Sequence, residues 1–153
     1  MAGSAHDPLL RFPEELGRLR QSRKLSQKSL ALTIDMDPSQ LSGLERGSRP
    51  PPNPATIADI ASALTLDQSE LSLLEWCARH DRCVRFILEV AASPREAQLV
   101  SQVLRASALL DNAQQEGLSE YLKGLQLAAQ RMASLSIRVD ELDQPNRRTA
   151  MSK

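Results

Sequence analysis

Apolar residues recur at intervals of three and four along most of the chain, the spacing that places them on one face of an α-helix. Residues 57–64 hold four of them on one such face, and Leu99, Val103, Ala106 and Leu110 follow at spacings of four, three and four. No segment alternates apolar and polar residues as a half-buried strand does. The pattern therefore predicts an all-α protein.

Helix-start signals divide this pattern into segments. Asp37, Asn53 and Asp67 are capping residues; the first two precede a proline, and the third is followed three residues later by a glutamate. Residues 48–52 contain three prolines and cannot form a helix. We therefore expect helices to open after each of the three capping residues, with Gly47 ending the first of them.

The last predicted helix carries an apolar seam. Two sets of residues each recur every seven positions and lie three positions apart, as at the a and d positions of a coiled coil: Leu118, Leu125, Met132 and Val139, and Tyr121, Ala128, Leu135 and Leu142. We predict a dimer interface formed by Leu118, Tyr121, Leu125, Met132 and Leu135. The flanking e and g positions lack the paired charges of a two-stranded zipper, so a stripe packed within one chain is the alternative.

Composition narrows the class of protein but does not name a partner. The 153 residues are 41% hydrophobic and 25% charged, and 19 Lys and Arg balance 19 Asp and Glu. Charge is nevertheless uneven, because residues 1–52 hold eight cations and six anions whereas residues 53–80 hold one cation and four anions. No apolar run could span a membrane and no cleavable secretory signal opens the chain, so we expect a cytoplasmic protein.

Residues 25–47 carry the most informative pattern. Two short helices are predicted there, separated by a turn near residues 34–36, with the second helix opening at Asp37. A helix-turn-helix needs this spacing, because one helix braces the other while the second presents its amino end to the major groove of DNA. Ala31 is small where the two helix axes would have to approach closely. The pattern favours DNA binding.

This segment resembles the XRE family, the Cro and lambda-repressor type of helix-turn-helix. The resemblance spans residues 14–75 and rests on five fragments held in register: Leu25-Ser26-Gln27, Leu30-Ala31, Leu41-Ser42, Leu44-Glu45-Arg46-Gly47 and Ile60-Ala61-Ser62-Ala63-Leu64. It implies a five-helix DNA-binding domain, usually dimeric, that regulates transcription. Asp35 departs from the family by replacing the usual turn glycine, and Pro38 and Gly43 offer no hydrogen-bonding side chain at two common base-reading positions.

The resemblance and the residue chemistry together predict the DNA-contacting residues. They are Gln27, Lys28, Ser39, Gln40, Ser42, Arg46 and Arg49. Gln27 matches the family glutamine that touches a phosphate and braces a base-contacting side chain, while Arg46 and Arg49 lie near the family's phosphate contacts. Ser39 and Gln40 lie in the first turn of the second helix, where serine and glutamine can contact bases. Gln40 could instead complete a capping box with Asp37.

Other chemistry is weakly indicated. Cys77, His80 and Cys83 suggest a metal or thiol site, but a continuous helix would separate the two cysteines by about 9 Å. Phosphate-binding glycine loops and nucleophile elbows are missing from the sequence. We therefore predict no enzymatic activity, no cofactor and no bound metal.

These observations give a domain organisation and a function. We predict a flexible tail (1–12), a DNA-binding domain (13–80), a helical dimerisation region (81–142) and a disordered tail (143–153). The predicted function is a transcriptional repressor that binds a palindromic operator as a homodimer. Two alternatives stay open: an antitoxin-type module whose carboxyl-terminal helices bind a protein partner, and a thiol- or metal-responsive regulator.

Overall fold

The computed structural model describes residues 7–142, and side chains up to residue 135. Over this range the chain forms seven helices and no strand, so the all-α prediction is confirmed. The helices are α1 (Phe12–Ser22), α2 (Gln27–Thr33), α3 (Pro38–Glu45), α4 (Pro54–Leu64), α5 (Gln68–Val90), α6 (Pro94–Leu109) and α7 (Asn112–Leu142). None of these described helices is long and apolar enough to cross a bilayer.

The first five helices enclose one hydrophobic core. Helix α1 packs against α3 and α5, α2 packs against α3 and α4, and α4 packs against α5. Burial of one leucine-sized side chain stabilises the fold by about 1.5–3 kcal/mol, so the buried apolar side chains contribute most of the folding free energy. The core consists of Phe12, Leu16, Leu19, Leu30, Ala31, Leu41, Leu44, Ile57, Ile60, Leu64, Leu74, Cys77 and Ala78.

The turn between α2 and α3 lies where the sequence predicts it. Asp35 adopts a left-handed conformation with φ of 51°, which aspartate tolerates better than most residues. The backbone N–H of Met36 then donates to the carbonyl of Ala31 at 2.8 Å and closes the end of α2. Aspartate therefore fills the role of the usual glycine at this turn.

The predicted tail of residues 1–12 is too long at its carboxyl end. Leu10 and Phe12 are 4% and 1% exposed, and the backbone N–H groups of Arg11 and Phe12 donate to the Asp81 carboxylate at 2.8–3.0 Å. Because this cap comes from about seventy residues away along the chain, no local pattern indicates it. Residues 1–6, and the tail predicted at 143–153, lie outside the described residues.

Helix α5 continues without a break through the predicted domain boundary at residue 80. It opens with the predicted capping box, in which Asp67 accepts the backbone N–H of Glu70 and the Glu70 side chain accepts the backbone N–H of Asp67. The chain divides instead into units of residues 1–105 and 106–153. The boundary differs because residues 80–84 of α5 include side chains buried in the first unit, which apolar spacing alone does not reveal.

Candidate DNA-binding surface

Helix α3 exposes its first turn. The Asp37 side chain accepts the backbone N–H of Ser39 at 2.7 Å. Hydrogen bonds from the Ser39 hydroxyl and from this N–H lower the pKa of Asp37, because they favour the charged carboxylate. Ser39 and Gln40 are exposed, while Leu41 and Leu44 face the core. Gln40 does not complete a capping box with Asp37, so its amide remains free of protein hydrogen bonds within the described chain. Both side chains are accessible to a groove of DNA.

Gln27 braces α3 through a carboxylate. Its Nε2 donates to Glu45 Oε2 at 2.7 Å, and its side chain is half-buried at the start of α2. Lys28 beside it is exposed. The resemblance implies that Gln27 braces a base-contacting side chain; in this chain its bracing contact is with Glu45 instead.

A buried ion pair joins α1 to the end of α3. Arg20 Nε and Nη2 donate to the two carboxylate oxygens of Glu45 at 2.5 and 2.8 Å, and the side chains are 11% and 8% exposed. Arg20 Nη1 also donates to the carbonyl of Leu25 at 2.7 Å. The hydrogen bonds to Glu45 raise the pKa of Arg20, because the carboxylate favours the charged guanidinium. Sequence reasoning missed this pair, although Glu45 lies in a fragment that matches the family.

Three cations near the surface are occupied by ion pairs. Arg18 pairs with Glu15 on α1, Arg20 pairs with Glu45, and Arg23 pairs with Glu70 of the α5 capping box. Arg23 Nε also donates to the carbonyl of Leu64, which ties the end of α4 to α1. Within the described chain the cations of this region that form no ion pair are Lys24, Lys28, Arg46 and Arg49. They lie in α2 or beside the ends of α2 and α3.

The loop after α3 folds back onto that helix. The backbone N–H of Arg49 and the Ser48 hydroxyl both donate to the carbonyl of Gly43, each at 3.2 Å. The Arg49 side chain lies across Gly43, so a Cβ atom at that glycine would be 2.9 Å from Arg49 Cδ. Because Gly43 has no side chain, the exposed Arg49 side chain can lie against α3, the second helix of the helix-turn-helix and the predicted recognition helix.

The helix positions the remaining predicted contact residues differently. Arg46 is exposed at the end of α3, and its Nε donates to the carbonyl of Ser42 at 3.3 Å. Ser42 is half-buried between the exposed first turn and the core-facing residues. Arg46 is therefore the more accessible of the two.

His80 has partners that the sequence does not reveal. His80 Nδ1 lies 2.8 Å from Asp81 Oδ1, and His80 Nε2 lies 3.0 Å from Ser101 Oγ. A carboxylate only accepts hydrogen bonds, so Nδ1 donates to Asp81, and Nε2 shares a second hydrogen bond with the Ser101 hydroxyl. Serine, histidine and aspartate also form hydrolase sites, but these three are at most 2% exposed and Asp81 caps α1. Their arrangement is that of a structural network.

The two cysteines differ in burial. Cys77 is buried, and burial raises the pKa of its thiol to about 12, so it stays protonated at neutral pH. Metal ligation and thiol exchange both need the thiolate. Cys83 is exposed, and the described part of the chain contains no group of three His, Cys, Asp or Glu residues able to hold a metal. The thiol- or metal-responsive alternative gains no support from this geometry.

Helix α7 exposes its apolar seam. Tyr121, Leu125 and Leu135 are 64%, 50% and 60% exposed, Met132 is 70% exposed, and Leu118 is half-buried. The two last seam positions, 139 and 142, lie beyond the described side chains. Within their own unit these apolar side chains are therefore left uncovered over residues 121–135.

Comparisons with known proteins agree with this geometry. A family model described as a helix-turn-helix domain matches residues 11–74. The restriction-modification controller protein C.AhdI from Aeromonas hydrophila is 36% identical over 41% of this chain and 94% of its own, with a TM-score of 0.38. No curated protein matches significantly. The match to the family model, and the identity to nearly the whole of a controller protein, establish the resemblance seen in the sequence: the chain belongs to the XRE family of helix-turn-helix DNA-binding transcription regulators.

Proposed function

We propose that the protein is a repressor that binds a palindromic operator as a homodimer. The observation that carries this proposal is the exposed first turn of α3, which presents the side chains of Ser39 and Gln40 to solvent. Lys28 on α2 and Arg49 after α3 are exposed cations that form no ion pair within the described chain, and such residues supply the salt-dependent part of DNA affinity. The protein would act in the cytoplasm by occupying promoter DNA, without enzymatic activity or a cofactor.

The second copy of the chain is the proposed occupant of the α7 seam. A seam with a repeat of seven residues fits another helix with the same repeat, and an identical chain supplies one. Leu122 and Ala129 at flanking positions widen the apolar face. A palindromic operator would require the two α3 helices of the dimer to lie about 34 Å apart, in successive major grooves.

Replacement of Ser39 by alanine tests the DNA-reading surface. We expect wild-type protein to protect two half-sites on the DNA flanking its own gene in a footprinting experiment. Ser39→Ala should lower the preference for that DNA over unrelated DNA by about 1–3 kcal/mol, the usual effect of one lost base contact. Ser62→Ala on α4, where Ser62 is also exposed, is the matched control and should leave the preference unchanged.

Two results of that experiment would contradict the proposal. No complex between wild-type protein and DNA at low ionic strength would overturn DNA binding through α3. An unchanged preference in Ser39→Ala would remove Ser39 from the base-reading residues.

Replacement of Leu125 by aspartate tests the α7 interface. A carboxylate in the centre of a buried apolar seam would lose its hydration without gaining a partner, so we expect the dimer to dissociate. Sedimentation equilibrium should then give the monomer mass. Gln126→Asp adds the same charge one position away, off the seam, and should leave the dimer intact.

An unchanged mass in Leu125→Asp would contradict the interface. A wild-type protein that is monomeric at micromolar concentration would instead assign the exposed seam to a different protein, as in the antitoxin-type alternative. The two outcomes are distinguished by the mass of the wild-type protein alone.

A further inference from the structure

Helix α5 reaches the loop between α3 and α4 through arginine side chains. Arg85 Nη2 donates to the carbonyl of Gly47 and, at 3.1 Å, to the carbonyl of Arg49. Three residues earlier on the same helix, Arg82 Nη2 donates to the carbonyl of Pro52. Both arginines lie beyond residue 74, where the match to the helix-turn-helix family model ends. A part of the chain outside the matched segment therefore contacts the loop that carries Arg49.

The Arg85 contacts fix the backbone on both sides of Ser48. Arg85 donates to the carbonyls of Gly47 and Arg49, the two residues that flank Ser48. The Ser48 hydroxyl and the Arg49 N–H both donate to the carbonyl of Gly43 on α3. The loop is thus held from one side by α3 and from the other by α5. With the backbone fixed in this way, the Arg49 side chain lies against the bare Cα of Gly43.

Arg85 is poorly placed to contact DNA itself. Its side chain is half-buried, its Nη2 is already bonded to two carbonyls, and its Nε is buried without a hydrogen-bond partner. A buried donor without a partner costs free energy, which the charge-assisted bonds to the loop carbonyls offset. The guanidinium therefore acts on the loop and not on a phosphate.

We infer that Arg85 is a positioning residue for DNA binding, which holds the loop so that Arg49 lies across the recognition helix at Gly43. This inference rests on the proposed function, because it takes the surface around α3 as the DNA-binding surface. Arg49 then occupies the place of the base-reading or phosphate-contacting side chain that Gly43 lacks. The carboxyl-terminal half of α5 becomes part of the DNA-binding machinery without contacting DNA.

A double-mutant cycle between Arg85 and Arg49 tests this inference. The full-length protein is titrated with the DNA fragment flanking its own gene at several salt concentrations. We expect Arg85→Ala to weaken binding by about fivefold to tenfold, in the lower part of the range for a lost DNA contact. Both Arg85→Ala and Arg49→Ala should reduce the salt slope by about one. In the Arg49→Ala background, Arg85→Ala should change affinity by less than about twofold, because both changes remove the same contact.

Matched controls separate positioning from loss of charge and from misfolding. Arg79→Ala removes a positive charge from an exposed position on the same helix and should change affinity by less than about twofold. Arg85→Lys keeps the charge but not the planar fork that reaches two carbonyls, so it should retain the fold and recover only part of the affinity. It replaces Arg85→Ala in the cycle if that variant unfolds.

Specific outcomes overturn the inference. Additive effects of Arg85→Ala and Arg49→Ala would show that Arg85 acts independently of Arg49. Equal effects of Arg85→Ala and Arg79→Ala would show that only net charge matters. Either result, obtained with a wild-type protein that binds the fragment, overturns this inference alone, whereas a wild-type protein that forms no complex overturns the proposed function with it.

Discussion

Replacement of Glu45 by alanine is expected to lower the free energy of unfolding by about 3–5 kcal/mol, the usual cost of breaking a buried ion pair by removing one partner. Arg20 would keep its buried charge without the carboxylate that it contacts at 2.5 and 2.8 Å. Gln27 would lose the acceptor of its amide at the same time. Because these contacts join α1, α2 and α3, DNA affinity should fall together with stability. Urea unfolding and DNA titration of the same variant measure both effects.

An exposed ion pair on α7 provides the control. Lys123 pairs with Glu120, and the two side chains are 61% and 62% exposed. Glu120→Ala should therefore cost less than about 1 kcal/mol, as exposed pairs do. The double replacement Arg20→Met and Glu45→Leu should recover much of the stability, because apolar residues of similar volume replace a buried pair well. A loss below about 1 kcal/mol in Glu45→Ala would contradict the structural role of the pair.

Replacement of Asp81 by alanine is expected to lower the free energy of unfolding by about 3–4 kcal/mol. The backbone N–H groups of Arg11 and Phe12 would lose their acceptor at the start of α1, and His80 Nδ1 would lose its partner inside the protein. Each buried donor left unsatisfied costs about 1–3 kcal/mol. Urea unfolding at neutral pH measures the total loss.

Amide hydrogen exchange assigns that loss to the cap. In Asp81→Ala the amides of Arg11 and Phe12 should exchange faster under native conditions, because α1 can then fray at its amino end. Glu89→Ala removes a carboxylate from an exposed position on the same helix and should alter neither amide. Asp81→Asn keeps one acceptor oxygen and should lose about half as much stability. Unchanged exchange at both amides would show that Asp81 does not cap α1.

Features determined by neighbouring residues could be predicted from the sequence. The helix openings at Asp37, Asn53 and Asp67 depend on contacts within three residues, and each is present as expected. The left-handed turn at Asp35 depends on the conformational range of a single residue. Local physical chemistry is sufficient for these elements, since the partners lie side by side along the chain.

Features that join distant parts of the chain could not be predicted in this way. Asp81 caps α1 from about seventy residues away along the chain. The residue that precedes the helix, Arg11, makes no side-chain capping bond, so no local capping signal marks the start of α1. The predicted tail therefore included Leu10, which the fold buries. The boundary predicted at residue 80 differs from the division at residue 105 for a related reason. Apolar spacing does not indicate that α5 supplies the buried polar side chains of His80 and Asp81 to the first unit.

The candidate site likewise contains features that neighbouring residues determine and features that tertiary packing determines. Exposure of Ser39 and Gln40 follows from the cap and the periodicity of α3, so the sequence was sufficient for it. The pairing of Arg23 with Glu70 depends on how α1 meets α5, and it removes a cation that the sequence alone would count toward DNA binding. Which charges remain available is a property of the tertiary structure and not of the charge pattern.

The span of α5 from His80 to Arg85 has a practical consequence for how this protein can be shortened. Within about 8 Å of helix it holds the start of α1 through Asp81, Ser101 of α6 through His80, and the loop after α3 through Arg85. A fragment trimmed to the segment that matches the family model would retain every residue proposed to contact DNA and discard all three of these anchors. We therefore expect a stable fragment to need the chain well past that segment, to Arg85 and onward into α6.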